Sequence, residues 1–283
     1  MQIQTADETS TRKRRIADLV GYGTVIATIA MLFFFLVLPV STIMARAFFN
    51  KGEFTFRYFP LLFSNELLMH SIGNSLLIGL VTTLLATLLS FPLAVINVKW
   101  DFPFKGLLMG LLLVPMVMPP FVGAIGLLRF FARRGSVNLA LLDMEWIDRP
   151  IDWLGPENMF WAVIVLEVLH LYPIMYLNLS AALANVDPSV EEVATTLGVP
   201  KWKQLKDIVW PLARPGYFAG AIIVFIWALT DLGTPLLVGY HETIPVQIFN
   251  MITDVNENPV GYALVFLVIV MTIFFFLLSK LAL

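Results

Sequence analysis

Six stretches of this chain, approximately 19–47, 71–98, 106–131, 158–184, 215–238 and 258–281, are long and apolar enough to cross a bilayer as helices. A hydrocarbon core about 30 Å thick needs roughly 20 apolar residues at the rise of an α-helix. The expected fold class is therefore an all-α integral membrane protein with six transmembrane helices. Composition agrees: 59% of the 283 residues are apolar and 13% charged, a ratio that a water-soluble domain could not cover with polar surface. A net charge of −2 with no broad basic face excludes nucleic acid as a partner and leaves the lipid bilayer. With no cysteine, disulfides, thiolate metal sites and cysteine nucleophiles are excluded.

The cations set an orientation. Arg12, Lys13, Arg14 and Arg15 precede the first stretch, which is too long for a signal-peptide core and lacks a small-residue cleavage site. The positive-inside rule then places a tail, 1–18, in the cytoplasm, followed by a membrane domain, 19–283, whose C-terminus returns there. The loops 99–105 and 185–214 also fall inside, with Lys99, Lys105, Lys201, Lys203, Lys206 and Arg214. The segment 132–157 falls outside and carries five acids with Trp146 and Trp153 as interface anchors, without the spacing or turn glycine of a calcium loop.

Proline recurs within the stretches at Pro39, Pro92, Pro115, Pro119, Pro120, Pro173 and Pro235. Each removes a backbone donor, tolerable in lipid only where neighbouring helices or water satisfy the freed groups. The run 114–123 predicts a bent third span, whose kink serves either helix packing or a pathway. Gly73, Ser75 and Gly79, with Gly216 and Gly220, are spaced for close helix contact, as in a packed bundle or a dimer.

Ionisable residues at membrane depth face protein or water because exposure to lipid is costly. Glu167 and His170 are one turn apart on the fourth stretch and can bond each other or a solute, although two residues do not make a metal site. Asp231 precedes Pro235 by four residues in the fifth. It lines a pathway or bonds to free backbone groups at the kink.

The loop 185–214 has its own design. Asp187 suits an N-cap and Pro188 the first helical position; Val190, Val193, Ala194 and Leu197 then form one apolar stripe, and Gly198 closes the helix. Pro200 starts a second helix with Trp202, Leu205, Ile208 and Val209 on one stripe and Lys201, Lys203, Gln204, Lys206 and Asp207 opposite. Pro211 and Pro215 are expected to break the chain before the fifth span. Such a pair either docks a cytoplasmic partner or lies on the bilayer surface.

Within this loop the chain resembles the EAA motif of binding-protein-dependent ABC transporter permeases: Glu-Ala-Ala, three residues, Gly, nine residues, then Ile-x-Leu-Pro. Glu192, Ala194, Gly198, Ile208 and Pro211 match in identity and spacing, while Val193 and Trp210 replace an alanine and the leucine. Asn74-Ser75-Leu76-Leu77, the Pro-Pro of the third span and Thr230-Asp231-Leu232-Gly233-Thr234-Pro235 are similar to the ferric-iron-type permeases. Thiamine, polyamine, phosphonate and sulfate permeases share parts of the last motif.

The resemblance implies a type I ABC importer permease-like fold in a bacterial inner membrane. It also implies that 185–214 couples to a cytosolic ABC ATPase dimer, with Gly198 as its turn, Glu192 a polar contact and Ala194 a small one. Further implied partners are an external substrate-binding protein and a second permease subunit or second half of a fused permease, with ferric iron as the solute. No G-x-x-x-x-G-K-[ST] run is present, so ATP would be used by the partner and this chain binds no cofactor. The competing reading is a proton-coupled secondary transporter with Glu167, His170 and Asp231 as its relay. A membrane enzyme is disfavoured because His70, His170 and His241 lie in separate segments without a catalytic motif.

Overall fold

The computed structural model describes residues 20–50, 53–253 and 259–281. The tail 1–18, with Arg12, Lys13, Arg14 and Arg15, lies outside the described residues, as does Lys51. Among the described residues five helices are long and apolar enough to span a membrane: Val20–Phe48, Glu66–Lys99, Met159–Ala184, Lys201–Thr230 and Pro259–Leu281. A bent pair, Lys105–Val117 and Val122–Phe130, makes six if counted as one span, its halves turned by 101°. The chain divides at Tyr58 into two units.

The first unit holds the span Val20–Phe48 and a small antiparallel hairpin in which Phe49 pairs with Phe54 and Asn50 with Glu53. Aromatic rings gather there, Phe48 stacking on Phe54 at 6.0 Å and Phe54 meeting Phe56 edge-on at 5.0 Å.

In the second unit the second, fourth and fifth spans pack most extensively against one another. Their core includes Ala86 and Ala94, Leu171, Met175 and Leu179, and Ala213 and Val224. Small residues let the backbones approach, as lipid-embedded helices require in the absence of a hydrophobic driving force between them. A Cβ built on Gly216 would stand 2.4 Å from Ala182 Cβ, and one on Gly220 2.9 Å from Asn178 Cβ, so both glycines are needed for contact within the chain. Gly79 is similarly tight, 3.0 Å from the Phe225 ring, whereas Gly73 has open space beside it.

The bent third span shows how a proline break is tolerated. Its helix stops at Leu112 and restarts at Val114. The Tyr172 hydroxyl of the fourth span donates to the Leu112 carbonyl at 2.8 Å, and the Tyr172 carbonyl in turn accepts from Ser90 of the second span at 2.8 Å. A freed polar group that lipid cannot solvate is thus satisfied by a neighbouring helix.

The fifth span departs from expectation. Pro211 and Pro215 do not break the chain; the helix runs through both from Lys201 to Thr230 and ends eight residues before the end of the expected span 215–238, leaving Gly233–Val238 as a separate short helix. At Pro211 the reason is a wide π turn, Leu205–Val209, in which the Trp210 N–H reaches back to the Leu205 carbonyl. Proline clashes with the carbonyl four residues before it, and widening the preceding turn removes that conflict. The first span uses the same device: Phe33–Val37 is a π turn, the Leu38 N–H donates to the Phe33 carbonyl, and Pro39 follows.

Candidate functional site

The loop between the fourth and fifth spans forms an elbow. Asp187 caps the helix Pro188–Thr196 by accepting from the Ser189 N–H at 2.9 Å. That bond, together with the Ser189 hydroxyl, holds the exposed Asp187 carboxyl below its usual range. A depressed carboxylate contributes stability above its unfolded value and loses it as pH falls, so the cap is intact at neutral pH and is lost on acidification. Gly198 closes the helix with φ of +76°, and the Gly198 and Val199 amides donate to the Thr195 and Ala194 carbonyls at 3.0 Å each.

The side chains sort differently from the sequence stripes. Ala194 is buried at 4% exposure, but Val193 and Leu197 of the same stripe are exposed, Leu197 at 76%, and so is Trp202 at 61%. Gln204, assigned by periodicity to the wet face, is buried at 2%. Its amide donates to Thr195 Oγ1 at 3.0 Å and to the Val199 carbonyl at 2.7 Å, locking the two arms of the elbow together. Gln204→Ala is expected to loosen the corner by about 1–3 kcal/mol, the usual range for stripping partners from buried polar groups. Faster hydrogen exchange at the amides of 195–199, with the spans unchanged, would register it.

Of the motif residues, Glu192 and Pro211 are exposed, Ile208 is half-buried, and Ala194 and Gly198 form the inner and turning points of the elbow. One contact escaped the sequence reading: Lys99, the last residue of the second span, forms an ion pair with Glu191 in the first turn of the elbow helix. Nothing local in sequence joins these residues; only an unmatched lysine at a helix end and an acid at a helix start hint at it.

The three ionisable residues within the spans are partly brought together. Glu167, 2% exposed, does not pair with His170; its carboxyl meets the side chains of Asp231 and Thr234, and its Oε1 lacks a hydrogen-bond partner among the described residues. Asp231 follows the last residue of the fifth span, where its carboxylate accepts from the Gly233 N–H at 3.3 Å and the Thr234 N–H at 2.7 Å. It therefore caps the short helix Gly233–Val238 across the break. His170 sits edge-on to Trp227 at 6.3 Å and lines a cavity of about 280 Å³ with Tyr172, Thr234 and residues of the bent third span. Among the described residues no group of three or more His, Asp or Glu side chains could hold a metal ion.

At the end of the bundle away from the elbow, Asn74 donates to the Tyr240 hydroxyl at 2.8 Å and to the Glu242 carbonyl at 3.2 Å, and Ser75 Oγ accepts from the Ile244 N–H at 2.9 Å. The Asn-Ser pair opening the second span thus pins the loop after the short helix.

A proline-bent bundle with a polar elbow between its fourth and fifth spans is the architecture of a multi-pass membrane protein. The chain belongs to the family described as the binding-protein-dependent transport system inner membrane component, which it matches over residues 86–282. It is 29% identical over 232 residues to a ferric transport system permease protein of Actinobacillus pleuropneumoniae, 80% of this chain and 33% of that one. It therefore spans about a third of the length of the ferric permeases it matches. It is 31% identical over 188 residues to a molybdenum transport system permease protein of Escherichia coli K12, covering 63% of this chain and 79% of that protein. Among solved structures, a bacterial alginate ABC transporter in complex with alginate pentasaccharide-bound periplasmic protein contains a chain of the same fold. The TM-score is 0.75 with 20% identity, covering 93% of each chain.

Proposed function

We propose that this chain is the permease subunit of an ATP-driven importer in a bacterial inner membrane, with ferric iron as its solute. An external binding protein delivers the iron, and a separate cytosolic ATPase dimer drives the 187–211 elbow. The elbow and both termini lie on the cytoplasmic face, and a second permease subunit or second half of a longer chain completes the pathway.

The observation that carries this reading is the elbow's surface. Val193, Leu197 and Trp202 stay exposed while the buried Ala194 and Gln204 hold the corner rigid, which suits a knob for a protein cleft. Because its second arm is continuous with the fifth span, force on the knob reaches the bundle without a flexible joint. ATP acts by favouring one of two conformations, since a ligand that binds both equally shifts nothing. The iron assignment draws on the ferric permeases, similar over 80% of this chain, and on the 230–235 motif.

The test is uptake by proteoliposomes holding the chain, its ATPase and its binding protein, with ferric iron, molybdate and spermidine supplied separately. ATP-dependent accumulation of iron that survives a protonophore is expected. Preference for another solute overturns the iron assignment, and uptake that collapses with the proton gradient while ATP persists overturns the importer.

A further inference from the structure

The elbow is attached to its bundle at three places, and they differ in kind. The fourth span leads into it through Val186, which is buried in the core, and the fifth span grows out of it as one helix. The second span, by contrast, faces the elbow helix across a groove of about 1130 Å³, with Asn97 and Lys99 on one wall and Glu191 and Thr195 on the other. The ion pair between Lys99 and Glu191 crosses that groove. Both partners are sheltered, their side chains 30% and 21% exposed. Glu192 and Lys201 are the other charged residues that line the groove.

We propose that Lys99 and Glu191 form a strut that makes the cytoplasmic end of the second span follow the elbow helix, so that these two positioning residues, which touch no solute, distribute the ATPase stroke to the tip of a helix that the elbow otherwise meets a few turns further in, where Trp210 stands edge-on to Phe91. This rests on the elbow being the docking element proposed above. A charge pair is suited to the task because it holds its partners together across a gap that apolar packing does not fill, and because it tolerates sliding as the groove opens or closes. Partly solvated pairs contribute little to folding, so losing this one leaves the bundle intact while the transmission suffers. The terminal position of Lys99 matters too. The second span ends there, with Trp100 already extended, so a pull on Lys99 acts on the end of a 34-residue helix rather than on a loop.

The chain has no cysteine, so spin labels can be placed at Ser189→Cys in the elbow and at the exposed Leu88→Cys on the second span without background. Distances would be measured by pulsed electron paramagnetic resonance on the full chain bound to its ATPase, with and without ATP. In wild type and Lys99→Arg the two labels are expected to keep one distance with and without ATP, because the second span moves with the elbow; a wild-type distance that changes with ATP overturns the strut. Lys99→Glu and Glu191→Lys are expected to show a distance that changes with ATP, the elbow moving without the second span, while retaining the ATPase. The double exchange Lys99→Glu with Glu191→Lys is expected to restore the fixed distance, which a merely structural role for either residue would not produce.

Lys99→Met and Glu191→Gln, which remove charge without reversing it, guard against a folding defect, with monodispersity on size exclusion as the check. An ATP response in Lys99→Glu equal to wild type, or a double exchange that fails to recover in a folded complex, overturns the strut. Failure of wild type itself to retain an ATPase overturns the docking reading and the strut with it, and is distinguishable because it precedes any substitution.

Discussion

Replacing Gly198 with tryptophan is expected to yield a folded membrane protein that no longer carries an ATPase through purification. Gly198 has φ of +76°, a conformation that costs an L-residue roughly 1–2 kcal/mol. No other atom lies within 4 Å of a Cβ placed there, so an added side chain projects into open space instead of into the core. The tryptophan ring would therefore stand on the same surface as Leu197 and Trp202, between the arms of the proposed knob, while the spans keep their packing. Gly198→Ala separates the two effects, since it imposes the backbone strain without the bulk. It should weaken retention only partly. Equal ATPase retention by wild type and Gly198→Trp would count decisively against the elbow as the docking element.

Gly216→Val should act in the opposite place and manner, damaging the bundle itself. The new Cβ would meet Ala182 Cβ at 2.4 Å and the Asn178 carbonyl oxygen at 3.2 Å, and neither a backbone oxygen nor an alanine can swing aside. The helices must separate, and overpacking of this kind costs about 1–3 kcal/mol or more. The fifth span would lose its seat on the fourth along the stretch that carries the elbow, so a lower thermal midpoint and poor monodispersity in detergent are expected. Gly220→Ala should be milder, because one of its neighbours, the Met175 sulfur at 3.3 Å, belongs to a flexible side chain. Gly73→Ala, with open space around it, should be near neutral, and Gly216→Ala combined with Ala182→Gly should recover much of the loss. Comparable melting of Gly216→Val and Gly73→Ala would remove the argument for close packing at this crossing.

Features that depend on neighbours in sequence were legible before any coordinates. The membrane-length apolar runs, the bend at Pro115–Pro120, the Asp187-Pro188 helix start and the Gly198 turn all follow from periodicity or from backbone restrictions on single residues. Features that depend on partners in space were not. Gln204 is polar and falls opposite an apolar stripe, yet it is buried, because the groups that accept from its Nε2, Thr195 Oγ1 and the Val199 carbonyl, come from the other arm and corner of the elbow.

In sequence Pro211 and Pro215 read as breaks because proline conflicts with the preceding turn; at Pro211 the widened turn resolves that conflict, and no composition rule marks it. The meeting of Glu167 with Asp231 and the Lys99–Glu191 pair join residues 64 and 92 positions apart, beyond the reach of any helical period. Hydropathy puts Asp231 inside a span, whereas the helix ends at Thr230 and the Asp231 carboxylate holds the next short helix by two backbone amides. The candidate pathway residues are therefore tied to a discontinuity that the hydropathy of 215–238 conceals.

The wide turn at Leu205–Val209 carries one more consequence. A π turn holds one residue beyond the α-helical repeat, and one residue corresponds to about 100° of rotation about the helix axis. The compass bearing of Trp202 relative to the membrane helix is thus fixed by a single surplus link in the chain as much as by any side chain. A version of this protein one link shorter at that point would keep its chemistry and aim its handle elsewhere.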